Sequence, residues 1–600
     1  MNVLGLNAYH SDAAACLLRD GKLVAAAEEE RFRRVKHWAG FPTQAIAYCL
    51  KEAGIGLADV THVAINRNNR ANFARKLIYV ATARPSLKSI LGRVRNRAQW
   101  AGVEEELQRA FPEQSFRGTV EHVEHHFAHL ASAFYASPFN RAVAVSVDGF
   151  GDFASAAWGL GQNTEIKIDG RVLFPHSLGI FYQAMTQYIG FPNYGDEYKV
   201  MGLAPYGTPA LVEKISSLVH LKADGTFSLN LDYFKHHRDE VEYEWAGGSP
   251  TFANLFSDRL EEYLGPRRSP NEALSQFHHD IAYATQAVFE NAFFHLLNTL
   301  HAKYGNDALA LSGGCANNSA ANGKIVDRTK FRRVYIPAAA GDAGGAIGAA
   351  YAVWHRLKES RGAPLDHAYW GPGCDDAEIE RLLSGHADKL SGARCDITIA
   401  ANEPTLLRTV AKAISDGCVV GWFQGRMEWG PRALGNRSIL GDPRRTDMKK
   451  ILNEKIKRRE SFRPFAPSVL RERVAAWFEH ESDVPFMMQI YKIRAERQSA
   501  IPAVTHVDGT GRLQTVHQDT NPRYYALIEE FRRQTGVPMV LNTSFNENEP
   551  VVCRPEEALD CFMRTRMDML VLGNYIITRT SSPAAATAGA SKAAVSEVIS

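Results

Sequence analysis

The chain has no CxxC pair, and its eight cysteines (Cys16, Cys49, Cys315, Cys374, Cys395, Cys418, Cys553 and Cys561) lie scattered over 600 residues. That pattern argues against a structural zinc site and a disulfide framework, and the expected compartment is the reducing cytoplasm. No run of eighteen uninterrupted apolar residues occurs, so a spanning helix is not expected. The opening residues, MNVLGLNA, read as a strand rather than a basic-then-apolar leader, so secretion is not expected either. Net charge is only +3, which excludes bulk attraction to nucleic acid or membrane. No solenoid-type repeat is present.

The chain is too long for one core, and two large domains are expected. Hydrophobic residues make up 45% and charged residues 22%, a globular balance. A strand at 2–8 leads into CLLRDGKLVAA, two apolar runs around Arg19-Asp20-Gly21 that read as a hairpin. FPTQAIAYCLKEAG reads as a helix with Pro42 at its start and Gly54 at its end, followed by the strand THVAINR. Residues 72–113 read as helical and Arg-rich, and a solvated basic face accounts for them better than a nucleic-acid site. AVAVSVDGFGD, SAAWGLG and EIKIDGRVLF read as strands, and 271–303 as a long helix. ALALSGGCANN and VYIPAAAGDAGGAIGAAYAVWHRL each pair a strand with a glycine turn. Alternating strands and helices argue an α/β architecture. The polar stretch 356–367 marks a boundary between residues 1–360 and 368–580, and the Ala/Ser-rich tail 581–600 is expected to be disordered.

Four histidines, His122, His125, His126 and His129, fall in EHVEHHFAHLASAFY, with Asp148 downstream in AVAVSVDGFGD. His125 and His129 are spaced i,i+4, as are His122 and His126, which places each pair on one helix face. Two imidazoles and a strand-end carboxylate suit iron, manganese or zinc with positions left open for a phosphate oxygen. The glycine turns VDGFGD, LSGGCANN and AAGDAGGAIG let backbone amides approach a phosphate. Together they resemble the actin-like ATPase architecture of two related halves, which would bring Asp342 to the same site.

His10, just past the first strand, is a candidate general base, though a surface turn explains it equally well. Lys36 and His37 end the charge run EEERFRRVKH and can reach an anion. Residues 426–463 hold twelve Lys/Arg against five Asp/Glu, punctuated by glycines and by Trp429, Pro431, Leu434 and Phe462. Arginine forks among glycine turns suit phosphates and carboxylates. The stretch lacks the aromatic ladder of a nucleic-acid groove. Arg512 follows a glycine turn, and Asn542, Thr543 and Ser544 sit at a strand end, as a nucleotide wall would.

In this order, GLNAYHSDAAA, EEERFRRVKH, HHFAH, SVDGFGD, EYKVMGLAPYG, LSGGCANN, GDAGGAIGAA, GRMEWGPRALGNRSI, RRESFRPFAP and NTSFN resemble the O-carbamoyltransferases of the nodulation and antibiotic-biosynthesis type, over about residues 2–578. The resemblance implies an N-terminal actin-like (ASKHA, threonylcarbamoyl-transferase-like) domain and a C-terminal YrdC-like α/β domain. It implies that the second domain makes carbamoyl adenylate from carbamoyl phosphate and ATP with Mg2+, and that the first passes the carbamoyl group to a hydroxyl. The adenylate is fragile in water, so a shielded passage is expected.

Carried over residue by residue, the resemblance makes His10 the general base. It gives Lys36 and Asn318 contacts to carbamoyl adenylate. Arg432, Lys457, Arg463 and Arg512 match anion positions, and Asn542 and Ser544 match nucleotide contacts. Asp232 aligns near an acceptor position. His125, His129, Asp148 and Asp342 match the ligands of a divalent metal, with iron the expected ion, and His122 and His126 are neighbours rather than ligands. Tyr198, Lys199 and Gly202 receive no role. The partners implied are a small hydroxyl acceptor (a sugar or natural product) and a second copy of the chain, with neither nucleic acid nor membrane. A tRNA threonylcarbamoyl-type enzyme and an actin-like small-molecule kinase are the alternatives.

Overall fold

The computed structural model describes residues 1–83, 102–238, 243–244, 248–358, 360–460 and 462–580. The tail 581–600 and the middle of the Arg-rich stretch lie outside the described residues. The chain divides into two compact units, Met1–Leu365 and Asp366–Ser600.

The first unit is built twice from one plan. Strands β1 (Asn2–Asn7), β2 (Ala14–Arg19), β3 (Lys22–Glu28), β4 (His62–Ile65) and β5 (Thr119–His122) form a sheet of order β3-β2-β1-β4-β5. Strands β6 (Arg141–Gly151), β7 (Ala154–Gln162), β8 (Glu165–Leu173), β9 (Ala308–Ser312) and β10 (Arg333–Tyr335) form a second sheet of order β10-β9-β6-β7-β8. In both sheets the first three strands in sequence pair antiparallel, and the last two add parallel to the first. This is the actin-like arrangement of two related halves.

Local chemistry explains the elements. The β2–β3 hairpin turns at Asp20 and Gly21, whose φ values of 49° and 78° suit the right-handed twist of its strands. Helix α1 (Thr43–Ala53) ends on Gly54 in the left-handed region and buries Ile46, Cys49 and Leu50 against Leu4, Leu6, Ala15 and Leu17 of the first sheet. The long helix expected at 271–303 is α5 (Gln276–Tyr304), capped by Ser275 and ended by Gly305. All eight cysteines are free thiols. Among the described residues no helix is long and apolar enough to cross a membrane.

Each half sends one helix from its fifth strand toward the middle of the unit. These are α3 (His125–Phe134) and α6 (Gly344–Lys358), which pack on each other. Gly345 and Gly348, which the sequence offers as part of a phosphate loop, lie inside α6. A Cβ at Gly348 would sit 1.8 Å from the Ala128 carbonyl oxygen of α3. Close helix packing is therefore the use this glycine has.

The second unit centres on one nine-stranded sheet. Its strands are β11 (Cys395–Ile399), β12 (Val420–Phe423), β13 (Arg437–Gly441), β14 (Ala466–Leu470), β15 (Gln489–Lys492), β16 (Thr510–Val516), β17 (Met539–Ser544), β18 (Met569–Leu572) and β19 (Tyr575–Arg579), in the order β11-β19-β18-β12-β13-β17-β14-β16-β15. Helices α7 (Glu403–Ser415) and α8 (Pro522–Thr535) pack together and share a core with the strands through Leu406, Val410, Ile414, Leu527 and Phe531.

Gly348→Val forces side-chain atoms onto a backbone carbonyl, which cannot rotate away. It should destabilise the first unit by about 1–3 kcal/mol, the usual range for overpacking. A drop in its thermal or urea midpoint checks this, and an unchanged midpoint contradicts the packing assignment.

Candidate active site

The site in the first unit begins at a helix start. Glu124 adopts extended backbone geometry, and its side chain accepts the Phe127 N–H at 2.7 Å, fixing the first turn of α3. His125 and His129 then share one face, both buried. His122 falls before the cap, in β5, exposed and hydrogen-bonded through Nδ1 to the Arg67 carbonyl. The helical pairing of His122 with His126 read from spacing is therefore wrong. The cap at Glu124 ends the extended chain only after His122. His126 is on α3 but turns to Ser146 at 2.8 Å.

His125 and His129 Nε2 atoms lie 3.1 Å apart and 3.1 and 2.9 Å from the same atom, Asp148 Oδ2. Asp342 Oδ1 lies 3.7 and 3.6 Å from the two nitrogens. One donor atom from each of the four residues falls within a 4.8 Å cluster. Burial disfavours charge on both imidazoles, but Asp148 and Asp342 together outweigh it, and His129 is pushed up to about 9. Burial likewise raises Asp148, yet the two histidines hold it well below the usual carboxylate range. Two imidazole nitrogens converging on one carboxylate oxygen, with a second carboxylate opposite, is the donor set of a divalent transition metal. The residues present fit such an ion.

Outer contacts fix these groups. Asp148 Oδ1 accepts the backbone N–H of Gly149 at 2.8 Å and of Gly314 at 3.0 Å. A Cβ on Gly151 would sit 2.0 Å from the His125 ring, so only glycine lets the imidazole lie against β6. Asp152, at φ 47°, accepts the backbone N–H of His125 at 2.9 Å and of Asn68 at 2.8 Å. It ties the ligand helix to the end of β4. Neither Asp152 nor Gly151 was singled out from sequence, although both stand in the SVDGFGD motif.

His10 sits beside this cluster, its ring centroid 5.6 Å from that of His125. Burial, then Arg67 and His125, hold it well below the usual imidazole value, so it stays neutral. Tyr9 and Asp12 flank it with φ of 62° and 56°. Asp12 pairs with His37 at 2.8 Å, which brings the loop of the exposed Lys36 to the loop of His10. Burial works against charge on His37, but Asp12 and Glu30 outweigh it and push it up to about 9. Asn318 forms a double amide pair with Gln286 at 3.1 and 2.9 Å and caps a short helix. Asp232 is surface-exposed and paired with Arg259 at 2.9 Å.

The second unit carries the other sequence candidates. Arg512 on β16 is held well below its usual value, by burial and then by Arg432. His506, near Arg512 and Lys449, is pushed down to about 4, mainly by burial. This is a concentration of positive charge that an anion would relieve. Asn542 is buried, and its amide donates to the Ala433 carbonyl, Ser468 Oγ and Gln514 Oε1 at 3.0–3.1 Å. Lys457 is 1% exposed, and its ammonium donates to the carbonyl oxygens of Ser544 and Asn546 at 2.5 and 2.8 Å and to Asn546 Oδ1 at 2.6 Å. Arg463 meets Glu460 at 3.4 Å. Two unassigned residues of the same motif hold its loop. Glu428 Oε1 accepts the backbone N–H of Leu434, Asn436 and Arg437, and buried Arg437 packs on the Phe423 ring while donating to the Gln424 and Pro372 carbonyls.

Comparison with known proteins follows the same division. Residues 2–351 match the family described as carbamoyltransferase N-terminus, and residues 411–579 match carbamoyltransferase C-terminus. The chain is 42% identical to an uncharacterized protein of Synechocystis sp., covering 97% of each. It is 37% identical to nodulation protein NolNO of Sinorhizobium fredii, over 96% of this chain and 80% of that one. With nodulation protein NolO of Bradyrhizobium diazoefficiens the identity is 36%, over 76% of this chain and 78% of the relative.

The His37–Asp12 pair gives a pH signature. A folded-state value near 9 stands above the ordinary 6.5, so the pair's stability is present below about pH 6.5 and lost as pH rises through about 9. The melting temperature of the native protein should fall over that window more than that of His37→Ala. Parallel curves would remove the pair from the stability of this loop.

Proposed function

The chain belongs to the carbamoyltransferase family, and from that membership we propose that it is an ATP-dependent O-carbamoyltransferase working through carbamoyl adenylate. The observation that carries this reading is the placement of His10 against the four-donor cluster, its ring centroid 5.6 Å from that of His125. In the second unit, water hydrolyses carbamoyl phosphate to carbamate and inorganic phosphate, and a carbamate oxygen then attacks the α-phosphorus of ATP and displaces pyrophosphate. The Arg432–Arg512 charge supports this step, since it offsets the repulsion between the approaching anions. The YrdC-like resemblance assigns this half-reaction to the second unit.

In the first unit the acceptor hydroxyl attacks the carbamoyl carbon, and His10 takes its proton. The carbon–oxygen bond to the phosphate breaks, and AMP leaves with the electron pair. His125, His129, Asp148 and Asp342 would hold a divalent ion, iron by family resemblance, which when bound neutralises charge on the adenylate phosphate. Lys36 contributes a further positive charge from the neighbouring loop. The acceptor is a small hydroxyl compound of the sugar or natural-product class. The protein works as a homodimer and in the cytoplasm, without nucleic acid.

Full-length protein incubated with carbamoyl phosphate and ATP should release AMP and pyrophosphate. ADP as the nucleotide product would exclude the adenylate route. His10→Ala should slow transfer to a hydroxyl acceptor by about 10²–10⁴-fold, the worth of a general base, while leaving acceptor-independent AMP release in place. Equal loss of both activities would contradict the division of labour.

Stripping metal with a chelator should lower the melting temperature, because an ion bound to the folded state alone stabilises it. Re-addition of Fe(II) should restore it in the native protein but not in His129→Ala. A melting temperature indifferent to chelator and metal would argue against an ion at this cluster.

A further inference from the structure

Asp342 divides its two oxygens between two neighbours. Oδ1 faces the histidine nitrogens at 3.7 and 3.6 Å, while Oδ2 lies 3.3 Å from Ser11 Oγ. Ser11 Oγ in turn lies 2.6 Å from the Tyr194 hydroxyl. Proton counting allows one direction for a chain that ends on Asp342. An ionised carboxylate only accepts, and each hydroxyl has one proton. Ser11 satisfies Asp342 only by donating to it, so Tyr194 donates to Ser11.

The relay is held at every joint. Ser11 is 4% exposed, and its carbonyl oxygen accepts the Asn7 amide at 3.0 Å. Asn7 also bonds the Asp12 carbonyl at 2.8 Å and accepts from Asn66 at 3.1 Å. The Tyr194 ring lies edge-on to His37, centroids 5.1 Å apart, and 5.7 Å from Phe252. Ser11 is also the residue after His10. The two carboxylates of the cluster are thus fixed by different means. Asp148 Oδ1 is pinned by the backbone amides of Gly149 and Gly314. Among the described residues, the hydroxyl that pins Asp342 Oδ2 is a side chain 331 positions away in sequence.

We propose that Ser11 and Tyr194 are positioning residues that aim Asp342 at a divalent cation and lock that ligand to the loop carrying His10. The inference rests on the metal reading above and goes beyond it in naming what orients the fourth ligand. An unheld carboxylate on the loop before α6 would rotate freely and cost entropy on binding. Orienting partners of metal ligands commonly matter for affinity almost as much as the ligands.

The test titrates metal-stripped full-length protein with Mn(II) and reads free ion by electron paramagnetic resonance. Ser11→Ala and Tyr194→Phe should each weaken binding by about 10–100-fold. The double variant should be no weaker than Ser11→Ala, because both changes cut one chain. Ser11→Thr, which keeps the hydroxyl, should bind as the native protein does, and His10→Ala should leave affinity unchanged although it slows transfer. Tyr194→Phe keeps its ring contacts, so it serves if Ser11→Ala does not fold. Native-like affinity in both Ser11→Ala and Tyr194→Phe, or additive losses in the double variant, would overturn the relay. Native protein that binds no Mn(II), or binds it equally after His129→Ala, would overturn the metal reading and the relay with it.

Discussion

One carboxylate, Asp148, is the point on which the first unit turns. Its Oδ2 receives two buried imidazoles, and its Oδ1 receives two backbone amides, one from β6 and one from the turn after β9. Its backbone oxygen accepts the hydroxyl of Ser177, which also caps the helix Leu178–Tyr188. An ionised carboxylate buried this deeply is tolerated only because every direction around it holds a donor or a cation. The constraint spreads outward. It requires glycine at 151 so that His125 can approach, Asp152 so that α3 starts where it does, and a glycine turn after β9 so that an amide points inward.

The duplicated plan explains why the reactive groups meet. β1 and β6 occupy equivalent places in their sheets, and His10 and Asp148 stand at or just beyond those strands. β5 and β10 are likewise equivalent, and each is followed by an inward helix. One helix begins with His125 and His129, and the other is preceded by Asp342. The α3–α6 packing through Gly348 and Ala128 sets the spacing between the two halves' contributions. His10 and Asp148 therefore come from equivalent strands, and His125, His129 and Asp342 from the starts of equivalent helices or the turn before them. The cluster joins the two halves, so a small shift between them would change the distances from both histidines to both carboxylates together.

What was legible in the sequence follows from the range of each signal. The hairpin at Arg19-Asp20-Gly21, the helix ended by Gly54 and the i,i+4 pair His125–His129 are local, and chain geometry alone dictates them. The actin-like architecture was legible because strand, turn and helix recur in order. The register of His122 was not, because the choice between strand and helix there depends on which residue caps α3. The glycines of GDAGGAIG were read as a phosphate loop. Composition cannot distinguish a glycine needed by a ligand from one needed by a helix 220 positions earlier (Gly348 against Ala128). Ser11 and Tyr194 carried no local signal at all, since their hydroxyls meet across 183 positions.

The same limit applies to the basic stretch of the second unit, where residue type hides two kinds of work. Arg437 and Lys457 spend their protons on backbone carbonyls and build the loop walls. Arg444 and Arg445 are paired with Asp442 and Asp447 at 2.6 Å. The carboxylates offset the charge of Arg444 and Arg445, while Arg437 and Lys457 keep their charge with these protons committed to carbonyls. Arg432 and Arg512 differ because each raises the cost of charging the other. Two guanidiniums near one another in a partly desolvated place are unfavourable by themselves. Such an arrangement persists where a ligand of opposite charge recovers the cost, and a substrate pair rich in phosphate oxygens is the chemistry that recovers it most fully. The electrostatic cost that Arg432 adds to the buried Arg512, rather than the number of cations around them, is what supports the proposal that anionic substrates bind in the second unit.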